Sequence, residues 1–296
     1  MTAVHEFEEK VRVGQPLTRA EATRLMASAD LVDIGMLGEA ARQARTGDVV
    51  TYGRVRAVER VVDSPQDAGE IRLTGSPASA DEARQWVRAA AASAPGVPLT
   101  AFSLSHLVDL AGGDHLALAA LAAALQAEGL DAVSEVPLDV LGETEHLIEI
   151  LRAVQHGGLG IWRATVWTAA TLEDRLGLIE RAAIAQRETG AFRALAPLPR
   201  RDSAASPSTG FDDVRTVAAA CLAAAGIPVI QVDWPLYGPK LAQVAIAYGA
   251  GDIDGVSAAD DLALGPRRSP VEDIERQIRA ARAVPVRRNG RFERLS

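Results

Sequence analysis

The chain has 296 residues, 48% of them hydrophobic and 24% charged, ordinary values for a globular protein with enough apolar side chains for a large core. A formal net charge of −8 argues against nucleic-acid binding, which requires a basic face. No apolar run reaches the ~20 residues needed to span a bilayer. Met1 to Lys10, with three glutamates, does not read as a signal peptide, so no membrane contact and a cytoplasmic location are expected.

Helices come first along the chain. Thr18-Arg19-Ala20-Glu21 is a capping box, and Asp30 can cap the helix Leu31 to Arg45. Val49 to Val62 reads as extended, followed by a loop through Asp63 to Gly69. From Glu70 strands and helices alternate: strands near 71–74, 98–102, 132–136, 159–167, 192–196 and 229–232, with helices between them. Ser79 and Thr171 open two of those helices, and Gly129 and Gly190 close two. A polar loop runs from Pro199 to Gly210, and a last helix from Pro270 to Arg282 precedes a basic, turn-rich tail. Helices long enough for right-handed crossovers make the sheet parallel. Neither G-x-G-x-x-G nor G-x-x-x-x-G-K-[ST] follows a strand, so the open nucleotide-binding sheets lack their marker. The expected fold is therefore α/β, a partial (βα)6 TIM-like barrel. Residues 1–48 form an N-terminal helical segment, 49–255 the partial barrel, and 256–296 a C-terminal helical extension.

The most informative stretch runs from Val229 to Gly255. A buried strand, Val229 to Val232, leads through a turn at Pro235 and Gly238 to a helix expected to begin at Pro239. Asp233, Trp234 and Tyr237 stand where strand gives way to helix, the edge at which α/β proteins place their chemistry. Lys240, one of two lysines in the chain, sits in the first turn of that helix. There it opposes the helix dipole unless an anion binds beside it.

The run W-P-x-x-G-x-x-x-A-Q (Trp234 to Gln243), followed by G-A-x-D-I-D-G (Gly249 to Gly255), resembles the C-terminal part of the radical S-adenosylmethionine enzymes of futalosine-dependent menaquinone synthesis. Aminofutalosine synthase is the closest likeness, with dehypoxanthine futalosine cyclase and the FO synthase subunits as cousins. Further matching runs lie at Ala29 to Ala41, Val49 to Tyr52, Thr171 to Pro199 and Thr209 to Thr216, so the likeness extends over most of the chain. The resemblance implies the same barrel. It also implies a C-x-x-x-C-x-x-C loop after the segment that matches Thr51-Tyr52. Here that place, Gly53 to Val62, holds no cysteine, and the family's P-G-G-G-A-E run is replaced by Glu135 to Asp139.

Cysteine count then decides against the family chemistry. A cluster that cleaves S-adenosylmethionine needs three thiolates, and Cys221 is the only cysteine. Radical chemistry by this chain alone is excluded on that donor count, and no cofactor is expected. Cys221 lies in an alanine-rich helical run and reads as a small buried hydrophobe.

Residues just past the strand ends would line the barrel mouth: Thr74, Ser103, His106, Glu135, Trp167, Thr168, Asp233, Trp234 and Tyr237. His106 with Glu135 or Asp233 is a candidate acid–base pair. Thr168, Trp167, Trp234, Tyr237 and Lys240 are candidate ligand contacts, the indoles as stacking platforms. His5, His115, His146 and His156 stand singly, without a spacing such as H-E-x-x-H, so no metal is expected. Arg200-Arg201 and Arg267-Arg268 read as solvated loop charges. The leading functional expectation is a cluster-less homologue that binds a small-molecule metabolite or partners an active menaquinone-pathway enzyme. The alternative is a cofactor-independent lyase or hydrolase acting on a nucleoside-like or carboxylated substrate in the mouth.

Overall fold

The computed structural model describes residues 3–60, 62–168, 171–201, 209–259 and 271–295. Three helices come first, α1 (Ala3–Arg12), α2 (Arg19–Met26) and α3 (Leu31–Thr46), followed by β1 (Val49–Val58) and β2 (Glu70–Leu73). Then come α4 (Ala80–Ser93), β3 (Leu99–Ser103), α5 (Leu104–Leu110), α6 (His115–Ala127), β4 (Ala132–Pro137), α7 (Thr144–His156) and β5 (Arg163–Val166). The order continues with α8 (Leu172–Thr189), β6 (Ala194–Pro199), α9 (Gly210–Ala223), β7 (Val229–Asp233), α10 (Trp234–Ala247) and β8 (Asp252–Ser257). Last are α11 (Val271–Ala280) and β9 (Val284–Arg288). Val61, most of the polar loop at 202–208, the Arg267-Arg268 pair and Pro270 lie outside the described residues.

The local signals held where caps carry them. Thr18 with Glu21 and Thr171 with Asp174 form reciprocal capping boxes, and Asp30 and Ser79 accept from backbone N–H groups in the first turns they open.

Closure of the sheet corrects the expected partial six-stranded barrel. Strands β2 to β8 pair in order and β8 pairs β1, all parallel, and β1 also pairs β2 from Val55↔Glu70 to Val58↔Leu73, so eight strands form a closed TIM-like barrel. The two strands missing from the expectation are β1, which reaches β2 through a loop without a helix, and β8. In β8 the D-I-D-G run offers one large apolar side chain between aspartates, residues that are depleted in strands. Gly255 in that run has φ +72, and a Cβ there would stand 2.9 Å from Pro235 Cδ, so only glycine fits.

Alternation explains those aspartates. Ile71, Leu73, Ala164, Ile230, Val232 and Ile253 are buried among the hydrophobic core residues. Their strand neighbours Glu70, Arg72, Arg163, Gln231, Asp252 and Asp254 are buried too, and they bond one another across the barrel interior. The C-terminal extension is not purely helical. Past α11, β9 pairs in parallel with the first half of β1, Val49↔Val284 to Gly53↔Arg288, and carries Arg288 into the barrel. Tyr52 donates from its hydroxyl to Glu275 at 2.9 Å, tying α11 to β1. The N-terminal helices pack against helices of the barrel's outer ring, α3 against α9 and α10, and α2 against α8 and α9. Among the described residues, no single helix is long and apolar enough to cross a membrane.

Candidate functional site

The barrel's middle is filled by ions. Arg72 donates to both oxygens of Asp254 at 3.0 and 3.1 Å and to Glu70 at 2.8 Å. Arg288 holds both oxygens of Asp252 at 2.6 and 2.8 Å and reaches Asp254 at 3.1 Å. Arg163 donates to Gln231 at 2.9 Å, to the Ser134 carbonyl at 2.7 Å and to Asp254 at 3.3 Å. Phe292 lies under Arg288, 4.3 Å from ring centre to guanidinium, and so covers the network from the side of the C-terminal tail.

Burial alone pushes the Asp254 carboxyl upward. Arg163, Arg72 and Arg288 outweigh it and hold its pKa well below the usual value. Glu70 is lowered by the same balance, chiefly through Arg72 and Arg163. Of the three arginines in this network Arg163 alone is lowered: burial and the neighbouring Arg72 pull its pKa down. The D-I-D-G run thus supplies the anions of a structural ion core.

Above this plug lies the mouth, at the C-terminal ends of β2 to β6. A cavity of about 540 Å³ opens there, walled by Arg72, Phe102, Glu135, Trp167, Arg200 and Arg201, with His106 and Ser103 at the α5 side. Phe102, the last residue but one of β3, has φ +58, a conformation a bulky side chain rarely takes, and its carbonyl accepts from Ser134 at 2.7 Å. Glu135 accepts from the Trp167 indole at 3.0 Å and from Thr165 at 3.2 Å. Arg200 bridges Glu135 at 3.3 Å and Asp233 at 3.0 Å. Its remaining terminal nitrogen is buried without a hydrogen-bond partner among the described residues. Arg201 stacks on Trp167, 3.3 Å from guanidinium carbon to ring centre.

The structure divides the sequence candidates. Thr74, Ser103, His106, Glu135 and Trp167 line the cavity. His106 pairs with neither carboxylate: its Nε2 donates to the Pro77 carbonyl at 2.8 Å, which fixes the proton on that nitrogen. Asp233 caps α10 by accepting from Leu236 N–H at 3.0 Å and turns its other oxygen to Arg200. Thr168 is exposed, bound through its N–H at 2.6 Å and its hydroxyl at 3.1 Å to Asp139. Trp234 is 1% exposed and belongs to the core. Tyr237 donates to the Pro199 carbonyl, and burial pushes its phenol pKa up. Lys240 is exposed and lies outside the cavity wall. The span Trp234–Ala247 is two helical pieces that meet at Gly238, where φ is +73 and ψ 173, so the piece that carries Lys240 starts at Pro239 as expected.

Arg200 and Arg201 are the residues that sequence reasoning set aside. Pro197 and Pro199 disguised β6, which extends to Pro199 and delivers both arginines to the mouth rather than to a solvated loop. An arginine pair directly after a strand of this barrel was the available signal.

The sequence holds one cysteine, against the three thiolates that a cluster of this kind takes. The loop after β1 carries Asp63 and Asp67, paired with Arg56, Arg54 and Arg287. Cys221 is buried on α9, its Sγ 3.6 Å from the Gly38 carbonyl, and burial raises its pKa. One inert thiol does not replace three thiolates.

No protein-family model matches the chain. Aminodeoxyfutalosine synthase of Thermus thermophilus is 26% identical over 236 residues, 71% of this chain and 63% of that protein. The Streptomyces coelicolor enzyme of the same name is 25% identical over 368 aligned positions, covering 98% and 93% of the two chains. A 5-amino-6-(D-ribitylamino)uracil–L-tyrosine 4-hydroxyphenyl transferase of Methanosarcina mazei is 28% identical over 58% of this chain and 52% of its own length. Among solved structures, methylornithine synthase superposes with a TM-score of 0.67 at 10% identity, covering 94% of this chain and 97% of that one. The FeFe-hydrogenase maturase HydG of Carboxydothermus hydrogenoformans gives 0.65 at 11% identity, covering 96% and 79%. These two likenesses bear on the fold alone. In sequence, the chain is similar to the aminodeoxyfutalosine synthases, in line with the resemblance carried by its W-P-x-x-G-x-x-x-A-Q and G-A-x-D-I-D-G runs.

Proposed function

We propose that this chain is a cluster-less homologue that binds a small anionic metabolite of the carboxylated-nucleoside class in the barrel mouth, either by itself or beside an active enzyme of the menaquinone pathway. The observation that carries the reading is Arg200. Its guanidinium spans Glu135 and Asp233 in the cavity wall, and one terminal nitrogen is buried with no partner among the described residues. A buried donor left unmade costs about 1–3 kcal/mol, which a carboxylate or phosphate oxygen would recover. The Trp167–Arg201 stack beside it offers a flat surface for a base or aromatic ring.

The lyase or hydrolase reading is the less supported one. Glu135 and Asp233 are both engaged by Arg200, and His106 spends its Nε2 proton on Pro77. No acid–base pair is thereby assembled. Calorimetric titration with carboxylated nucleosides, together with thermal shift, tests the proposal. Wild type should bind and gain stability without turnover, and Arg200→Gln should lose both effects. Turnover abolished by Glu135→Gln or His106→Ala would establish the enzymatic reading instead.

A further inference from the structure

At the rim of the mouth, two helices bring together residues that lie 31 and 34 positions apart in the chain. His115 is the first residue of α6, after the Gly112-Gly113 turn, and His146 and Glu149 are one helical turn apart on α7. The two imidazole rings stand 5.5 Å apart between centres. One ligand atom from each of the three residues lies within 4.8 Å of the other two. None of the three side chains has a hydrogen-bond or ion-pair partner among the described residues, so their donor atoms are not spent elsewhere. Space for the His146 ring is set by the backbone. Gly142 has φ +66, and a Cβ there would come within 3.1 Å of His146 Cδ2.

We propose that His115, His146 and Glu149 form a site for one divalent transition-metal ion, with zinc the best match. Two neutral imidazoles and a carboxylate are the donor set that borderline cations prefer, and three protein ligands leave a fourth position to solvent. Atoms bound to one zinc at about 2.0–2.1 Å stand within about 3.5 Å of each other. Modest side-chain rotation therefore closes the set, and the exposure of His146 and Glu149 leaves room for it. His146 also lines the mouth cavity, so the ion would sit on the cavity's rim. No metal-ligand spacing was legible because the ligands come from two helices, and only the packing of α6 on α7 aligns them.

The experiment is titration of the untagged, full chain with cobalt(II), followed by visible absorption, and with zinc(II), followed by calorimetry. Wild type should take up one equivalent and develop ligand-field bands. His115→Ala, His146→Ala and Glu149→Ala should each weaken binding by about tenfold or more. His156→Ala should bind as wild type does, and all variants should melt like wild type without metal. Absence of saturable binding, or a His115→Ala/His146→Ala double variant that binds like wild type, would overturn the assignment.

Discussion

Replacing Asp254 by asparagine tests the ion core directly. Its carboxylate takes two bonds from Arg72 and one each from Arg288 and Arg163, and it is fully buried. The interior network balances three carboxylates, Glu70, Asp252 and Asp254, against three arginines, Arg72, Arg163 and Arg288. Asparagine keeps the shape and removes one charge, leaving a surplus cation in a medium that solvates it poorly. Breaking a buried pair in this way costs about 3–5 kcal/mol, against total stabilities of roughly 5–15 kcal/mol. Urea unfolding should therefore show a much lower midpoint at unchanged slope. Arg163 is the least compensated of the cations, because burial and Arg72 already lower its pKa. Adding Arg163→Met to Asp254→Asn restores the balance and should recover part of the loss, a coupling of about 0.5–3 kcal/mol. Were Asp254→Asn to fall within about 0.5 kcal/mol of wild type, the change usual for a surface substitution, the network would not be holding the barrel together.

Three further outcomes follow from the same geometry. Glu70 and Asp254 titrate below their unfolded values, so the stability they contribute is present above roughly pH 4–5 and is lost as pH falls through their folded values. Melting temperature should drop steeply below that range, and a flat profile down to pH 3 would contradict the assignment. Trp234→Ala should cost about 3–5 kcal/mol in urea unfolding, since its indole is core and not a stacking platform. Lys240→Ala should change neither melting temperature nor metabolite affinity, because Lys240 is exposed and lies off the cavity wall; loss of affinity in calorimetry would return it to the site.

The parts of the fold written in local chemistry were legible in the sequence. Thr18, Asp30, Ser79 and Thr171 announced their helices because a cap is a contact within one turn. Strand β8 escaped notice because its inward residues are aspartates, and their arginine partners come from β2, β5 and β9, which no local pattern reveals. Strand β9 was hidden in a basic tail for the same reason: Arg288 looks like a solvated charge until Asp252 is placed opposite it. At the mouth, Glu135 near the end of β4 and Trp167 just past β5 were placed by their position at strand ends, and both line the cavity. The partner that organises them, Arg200, was not, since the two prolines of β6 read as the start of a loop. His106 was placed correctly in the cavity, but the Pro77 carbonyl that occupies it belongs to another βα loop.

The absence of a radical-generating cluster is the claim on which the functional reading stands. Anaerobic reconstitution of the pure chain with iron and sulfide measures it most directly. The single buried Cys221 predicts a protein that stays colourless, with iron and sulfide removed on desalting. A stoichiometric cluster with the broad visible absorbance of iron–sulfur proteins, formed by this chain alone, would contradict it.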